Sequence, residues 1–559
     1  MLKRSRLNTH KDIDPDEIFL DDKNIPDFDV HQFEGRIEAP IPRRTIFFLG
    51  SFFFFIGLLF LVRAGVLQIS EGNIYAQKSA QNHLDQQLLF PERGLINDRL
   101  GIPLAWNVPS TEDLGFSLRN YITDPGFGHI LGSLHYPARD KYGVYYRKDY
   151  EASTGIEDSY NEVLKGTKGL RLIETDALGK VVSSNVVDPP SHGTNITLSI
   201  DARLQKKLYS IIGTVTHAQD YRGGAGGVMD IATGELLALV SYPDIDSNVL
   251  TDGEDRATIQ SYNNDPHTPF LDRAINGLYT PGSIVKPIFA IAALNEGIIT
   301  PEKQILSIGY ITIPNPYFPD KESRFNDWKN HGWLSMRSAI AQSSDVYFYE
   351  IAGGFKDQKG LGIVNLEKYA RMFGYGTTTG IDLPGEAQGT IPNIAWKAKN
   401  FPDDPTWRVG DTYFTGIGQY GMQVTLLQAL REAGIVAAKG EVVTPHLVES
   451  TSTPSTHLNI PESYFTVVQE GMREGAIKGT ASLLNFPNIK IAAKTGTAEL
   501  GITKARVNSW VIGFFPYDHP RYAFAVMMDR GVKGNTTNAA YVAREFFQWM
   551  SSSTPEYLK

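Results

Sequence analysis

Hydrophobic and polar positions change their pattern several times along this chain. From position 45 to 62 the sequence reads TIFFLGSFFFFIGLLFLV, with seven phenylalanines, no charge and no polar face. Eighteen residues at ~1.5 Å each cover roughly 27 Å, close to the hydrocarbon thickness of a bilayer, which predicts a membrane-spanning helix. Residues 1–42 mix acidic side chains and prolines with single apolar residues and sustain no period, so an unstructured tail is expected there. Between 68 and 200, short strand-like runs alternate with Gly, Pro and Tyr. Residues 93–101 read as a strand entering a tight turn, and 155–164 as a short amphipathic helix closed by Gly166 and Gly169. From Asp201 a helical period takes over in Leu204, Leu208, Ile211 and Ile212, with Asp201 placed to cap it. A hairpin comes next: 226–231, a turn at Thr233-Gly234, then 235–241. Three more strands are expected at 490–499, 509–516 and 522–529, and an amphipathic helix at 538–550. Two strands, a long helical insert and three strands make an antiparallel sheet flanked by helices, an α+β fold that pairs across about 250 residues. The expected organisation is a tail (1–42), an anchor (43–67), an extended pedestal (68–200) and one large domain (201–559).

Charge refines this picture. Arg36, Arg43 and Arg44 precede the apolar span and only Arg63 follows it closely, so the tail is expected in the cytoplasm and the remainder outside. The span begins more than 40 residues into the chain and is long, which favours an uncleaved anchor over a signal peptide. The net charge of −9 argues against nucleic acid as the main partner. The absence of cysteine excludes disulfides and thiolate metal sites.

Candidate chemistry centres on Tyr279-Thr280-Pro281-Gly282-Ser283-Ile284-Val285-Lys286-Pro287. Pro281 and Gly282 break the chain before an apolar helical run. That puts Ser283 at a helix start and Lys286 three residues on, on the same face. A serine hydroxyl needs a base beside it, and a lysine serves only where burial or a second cation loosens its proton. The helix N-terminus offers N–H groups to a developing oxyanion. Ser-x-x-Lys alone arises by chance about twice in such a chain, so it needs company. Two further segments supply it. In 336–348, Ser343 is placed to relay a proton to a leaving amine, and Asp345 either accepts a substrate hydrogen bond or holds a lysine. In the third strand, Lys494-Thr495-Gly496-Thr497 combines a cation, two hydroxyls and a glycine that lets a peptide backbone come close. Lys478-Gly479-Thr480 has a similar composition in scrambled order and reads as a loop. Asp327 and His331, four apart, have a spacing that suits a shared metal, but no third ligand is apparent and no metal or other cofactor is expected. There is no His-Glu-x-x-His, no Gly-x-Ser-x-Gly and no Walker loop.

Taken together and in this order, the three segments resemble the Ser-x-x-Lys, Ser-x-Asn and Lys-Thr-Gly set of penicillin-binding proteins and serine β-lactamases. The chain is similar to class B penicillin-binding proteins, most of all the elongation-type PBP2 branch. Segments 93–105, 155–169, 374–376, 379–386, 407–419 and 508–516 share in the resemblance. It implies a D,D-transpeptidase in the bacterial cytoplasmic membrane, with a single span and an extracytoplasmic catalytic domain. Ser283 would attack the penultimate D-Ala of a peptidoglycan stem peptide, and Lys286, Ser343 and Lys494 would move protons. Asp345, Thr495, Gly496 and Thr497 would hold substrate, with the N–H groups of Ser283 and Thr497 on the oxyanion. β-Lactams would trap the same serine, and a SEDS-type glycosyltransferase would be the membrane partner. Asp345 in place of the commoner Asn, and Thr425-Leu426-Leu427-Gln428 in place of Thr-Pro-Leu-Gln, depart from the pattern. The alternatives are a D,D-carboxypeptidase or β-lactamase-type hydrolase, and a catalytically silent penicillin-binding scaffold or sensor.

Overall fold

The computed structural model describes residues 42–74, 76, 84–110, 114–175, 181–315, 317–318, 320–449 and 455–559. The expectation for the N-terminal tail therefore lies almost wholly outside the described residues. Two compact units divide the chain: Met1–Asp85 with Ile173–Ser183, and Gln86–Leu172 with Ser184–Lys559. In the first, helix α1 (Arg43–Gly65) continues through a π-helical turn, Val66–Ser70, and together they are long and apolar enough to cross a membrane. None of α1 is buried against protein.

The second unit begins with a small four-stranded sheet in the order Ile196–Thr197, Ile96–Asn97, Pro103–Val108, Leu118–Tyr121. Behind it the expected helix over 155–164 is two short pieces, Gly155–Ser159 and Asn161–Leu164, broken at Tyr160. The reason for the first piece's position is electrostatic. Its Glu157 is fully buried and takes Arg93 Nε at 2.6 Å on one oxygen and Arg119 Nε at 2.7 Å on the other. Asp98, Asn248 and Asp244 then tie this region to the larger domain: Asp98 accepts from Ala202 N, Asn248 from Tyr121 N, and Asp244 from Gly126 N and Gly128 N.

Helix α2 (Ala202–Ala218) starts where Asp201 accepts from Arg203 N. Strands β1 (Gly223–Asp230) and β2 (Leu236–Tyr242) form the expected hairpin. The insert carries helices α3 (Lys286–Asn295), α4 (Met336–Gln342), α5 (Asp345–Gly353), α6 (Leu426–Ala437) and α7 (Glu462–Lys478). Strands β3 (Ala492–Leu500), β4 (Arg506–Phe515) and β5 (Tyr522–Val532) and helix α8 (Ala539–Ser553) complete the chain. The sheet is five-stranded and antiparallel, in the order β2-β1-β5-β4-β3.

Both faces of the sheet are covered, which explains why its strands are apolar almost throughout. Side chains alternate along a strand. Ala523, Ala525 and Met527 of β5, with Trp510, Ile512 and Phe514 of β4, face the core that holds α3 and α6. Phe524, Val526 and Met528, with Val511 and Phe515, face the core that holds α2 and α8. On β3, Ala492 belongs to the first face, so Lys494 and Gly496, two and four residues on, point toward the insert. Thr425 caps α6 in a reciprocal box with Gln428, and Leu426 at the first helical position is buried. The absence of proline there leaves the helix start intact.

Candidate active site

Ser283 lies in a 3-10 turn, Gly282–Val285, that runs into α3. Three backbone ties hold this turn. Gly282 N donates to Gly418 O at 3.0 Å, Tyr279 and Val424 exchange two hydrogen bonds, and Trp510 Nε1 donates to Thr280 O at 3.0 Å. The contacts are too close for side chains. A Cβ on Gly496 would sit 2.8 Å from Pro281 O, and one on Gly418 would sit 2.2 Å from Gly282 O. The glycine of Lys-Thr-Gly therefore serves first to bring β3 against the serine turn, a different contact from the substrate backbone expected of it.

Behind the serine, two lysines are almost entirely buried, Lys286 at 0% and Lys494 at 1% exposure. They meet on the hydroxyl of Ser343: Lys494 Nζ lies 2.8 Å from Ser343 Oγ, and Lys286 Nζ 3.4 Å from it. Lys286 also donates to Ser343 O at 2.9 Å and to Asp345 Oδ1 at 2.6 Å, and Lys494 to Thr495 O at 2.8 Å. No hydrogen bond joins Lys286 to Ser283 among the described residues. The expected reach from amine to Ser283 is replaced by one to Ser343 and Asp345, because the 3-10 turn ends where α3 begins and aims the lysine at the α4–α5 junction. Burial pushes the Lys494 amine well below the usual lysine range, and the neighbouring Lys286 pushes it further. Among the described residues no carboxylate is in hydrogen-bond contact with Lys494 to offset this.

The α4–α5 junction is a break between two helices. Ser343 adopts a left-handed conformation (φ 55°), which non-glycine residues seldom do. Ser344 then caps α5 by accepting from Tyr347 N. This kink turns Ser343 Oγ and the Asp345 carboxylate toward the lysines.

A cleft of ≈ 930 Å³ opens over these groups. Of the sequence-selected residues, Ser283, Ser343, Asp345, Thr495, Gly496 and Thr497 line it, and Lys286 and Lys494 lie beneath its floor. Sequence reasoning misses several of its walls. Thr480, within the scrambled Lys-Gly-Thr, accepts from Thr495 Oγ1 at 2.6 Å and lines the cleft, as do Asn326, Trp328 and Tyr349. Nothing local marks Thr480; only its place just after the end of α7, which packs on β3, brings it there. Asp327 and His331 do meet, with Nε2 3.3 Å from Oδ1, but no group of three or more His, Cys, Asp or Glu that would hold a metal gathers among the described residues.

Known proteins share this arrangement. Residues 224–548 match the penicillin-binding protein transpeptidase domain, and residues 116–198 the penicillin-binding protein dimerisation domain. The peptidoglycan D,D-transpeptidase MrdA of Haemophilus influenzae is 30% identical over 483 residues, covering 80% of this chain and 71% of that one. A crystal structure of Pseudomonas aeruginosa PBP2 in complex with WCK 5153 superposes with a TM-score of 0.69 at 30% identity, covering 84% of this chain and 98% of that one. PBP2 from Helicobacter pylori, in a complex with MreC, superposes with a TM-score of 0.70 at 27% identity, covering 84% and 99%. A transpeptidase domain matched over more than half of the chain, on the sheet and cleft just described, places this protein in the class B penicillin-binding proteins.

Proposed function

We propose that the protein is a peptidoglycan D,D-transpeptidase that cross-links stem peptides during cell-wall elongation, using Ser283 as its nucleophile. The observation that carries this reading is the convergence of two buried lysines on one hydroxyl beneath a cleft that Ser283 lines. In this reading Ser283 Oγ attacks the penultimate D-Ala carbonyl, and its proton passes to Lys286, three residues along the chain. Lys286 takes this proton as a neutral amine, its own having passed to Asp345 Oδ1, 2.6 Å away, as substrate seats. The N–H groups of Ser283 and Thr497 receive the oxyanion, and the tetrahedral centre collapses with loss of the terminal D-Ala amine. Ser343, in contact with both lysines, hands that amine its proton and takes the proton held by Lys286 in its place, which returns both groups to their starting forms. An amine from a neighbouring stem then attacks the acyl-enzyme, forming the cross-link and restoring Ser283. Thr495 and Thr497, at the open edge of β3, hold the extended stem. Loss of one oxyanion donor costs about 10²–10³-fold in such reactions.

The test is covalent. A fluorescent penicillin should label the full-length protein, and mass spectrometry should place the adduct on Ser283. An adduct on another residue, or labelling that persists in Ser283→Ala, overturns the assignment. In reconstituted membranes, cross-linked stems support transpeptidation, whereas trimmed stems alone support a hydrolase.

The same proposal puts α1 in the bacterial cytoplasmic membrane and the cleft outside, from the arginines that precede the span. A SEDS-type glycosyltransferase in the membrane is the proposed partner, docking through 68–200. Retention of that partner in a pull-down after this region is replaced would remove the assignment.

A further inference from the structure

Asp327 has no part in the proton transfers above, yet its carboxylate is fully buried directly behind them. Its Oδ2 accepts from Ser344 Oγ at 2.6 Å, Val346 N at 3.0 Å and Ser307 Oγ at 3.1 Å. Its Oδ1 accepts from Trp328 N at 2.8 Å and faces His331 Nε2 at 3.3 Å. Ionised, the group is acceptor only, so His331 must carry its proton on Nε2. Burial alone would raise the Asp327 carboxyl, but the donors from Ser344, Val346 and Asp345 hold it below the usual carboxylate range.

Two of these donors flank one residue. Ser344 and Val346 bracket Asp345, and Ser344 follows Ser343, whose left-handed backbone is costly for a residue with a side chain. Something must hold that conformation. Within α4 and α5, Ser343 N and Ser344 N donate to Ile340 O and Ala339 O, and Tyr347 N donates to Ser344 Oγ; from α3, Lys286 Nζ donates to Ser343 O. Asp327 comes from outside both helices and grips the far side of the kink.

We infer that Asp327 is a positioning residue for acyl transfer: it fixes the Ser343–Asp345 kink so that Ser343 Oγ and Asp345 Oδ1 meet Lys286 and Lys494. The inference rests on the reading of Ser283 as the acylated residue. Asp327→Asn keeps the shape but replaces one acceptor with a donor. The amide then fails either Ser344 and Val346 or Trp328 and His331. A displacement of the kink by about 1 Å separates the hydroxyl from the lysines, and misplacement of this kind costs about 10²-fold in rate.

The experiment measures acylation of the full-length protein by a penicillin, resolving the acylation step from non-covalent affinity, alongside the melting temperature. For Asp327→Asn the acylation step should fall about 10²-fold while non-covalent affinity falls far less, because the altered side chain is itself fully buried. Ser344→Ala, which removes one of the two links, should fall about 10-fold, and the double variant should be no slower than Asp327→Asn. A folded Asp327→Asn that acylates at the wild-type rate overturns the inference, as do losses that multiply in the double variant. If Asp327→Asn does not fold, Ser344→Ala decides, and wild-type acylation there overturns it. Absence of acylation in the wild type would instead remove the reading of Ser283 and leave no rate to position.

Discussion

Lys286 Nζ lies 2.6 Å from Asp345 Oδ1, and the two ends of this pair are not equally sheltered: the lysine side chain is 0% exposed and the aspartate 21%. Removing a partner from a buried charge costs more than removing one from a charge that still meets water. Asp345→Ala should therefore destabilise the protein by about 3 kcal/mol, more than Lys286→Met, which leaves a carboxylate at the cleft wall. Denaturant unfolding of both variants checks the order; the reverse order would mean that the aspartate is not the lysine's counter-ion.

Gly418 offers a second test. Its φ is +76°, and a Cβ there would meet Gly282 O at 2.2 Å. Gly418→Ala must push the 3-10 turn away from its anchor, so acylation should fall about 10²-fold. The strained backbone should also cost about 1–3 kcal/mol in stability. Penicillin acylation kinetics and thermal melts measure the two effects separately.

Glu350 in α5 predicts a pH dependence. Burial raises its carboxyl from 4.5 to about 7, against the pull of Lys356 and Lys303. The folded state then keeps its proton up to about pH 7, while the unfolded chain releases it near 4.5. Across that window the folded state binds more protons, so stability is lost as pH rises and the full cost is present above pH 7. Glu350→Gln should be the more stable protein at pH 8, by up to about 3 kcal/mol, and equal to wild type at pH 4. Melting temperatures against pH would show a converging pair of curves.

In the pedestal, Glu157→Ala leaves two buried guanidinium groups, Arg93 and Arg119, without their shared carboxylate. The expected loss is about 3–5 kcal/mol. Acylation at low temperature should be unchanged, since the cleft lies elsewhere. Paired unfolding and acylation measurements would check both halves of this expectation.

Much of this molecule can be read from residues alone, and the exceptions share a cause. Short apolar runs locate β1 to β5 within a few residues, because each run is local and ends at glycine, proline or charge. The kink at Ser343 is illegible: Ser-Ser-Asp fits a helix start as well as an interruption, and the deciding bonds come from Asp327, 17 residues away from Ser344. The resting partners of Lys286 are legible only in part for a related reason. Helical spacing places it near Ser283, but a 3-10 turn and a carboxylate 59 residues on redirect it. Thr480 escapes notice because its neighbours are in the wrong order, although only its position beside β3 matters.

The sheet order β2-β1-β5-β4-β3 has a bearing on biogenesis. A polypeptide emerging from its amino end makes β1 before the insert, but the neighbour that completes β1 is Tyr522–Val532, made only after the insert, β3 and β4. Until then the first hairpin presents an open edge of unpaired amides, and the whole helical insert hangs from a half-built scaffold. Pairings this distant along the chain form slowly and leave sticky intermediates exposed. Folding of this protein thus includes an interval in which it needs shielding from its own kind, and a truncation just before residue 522 would leave two separate hairpins instead of a shortened enzyme.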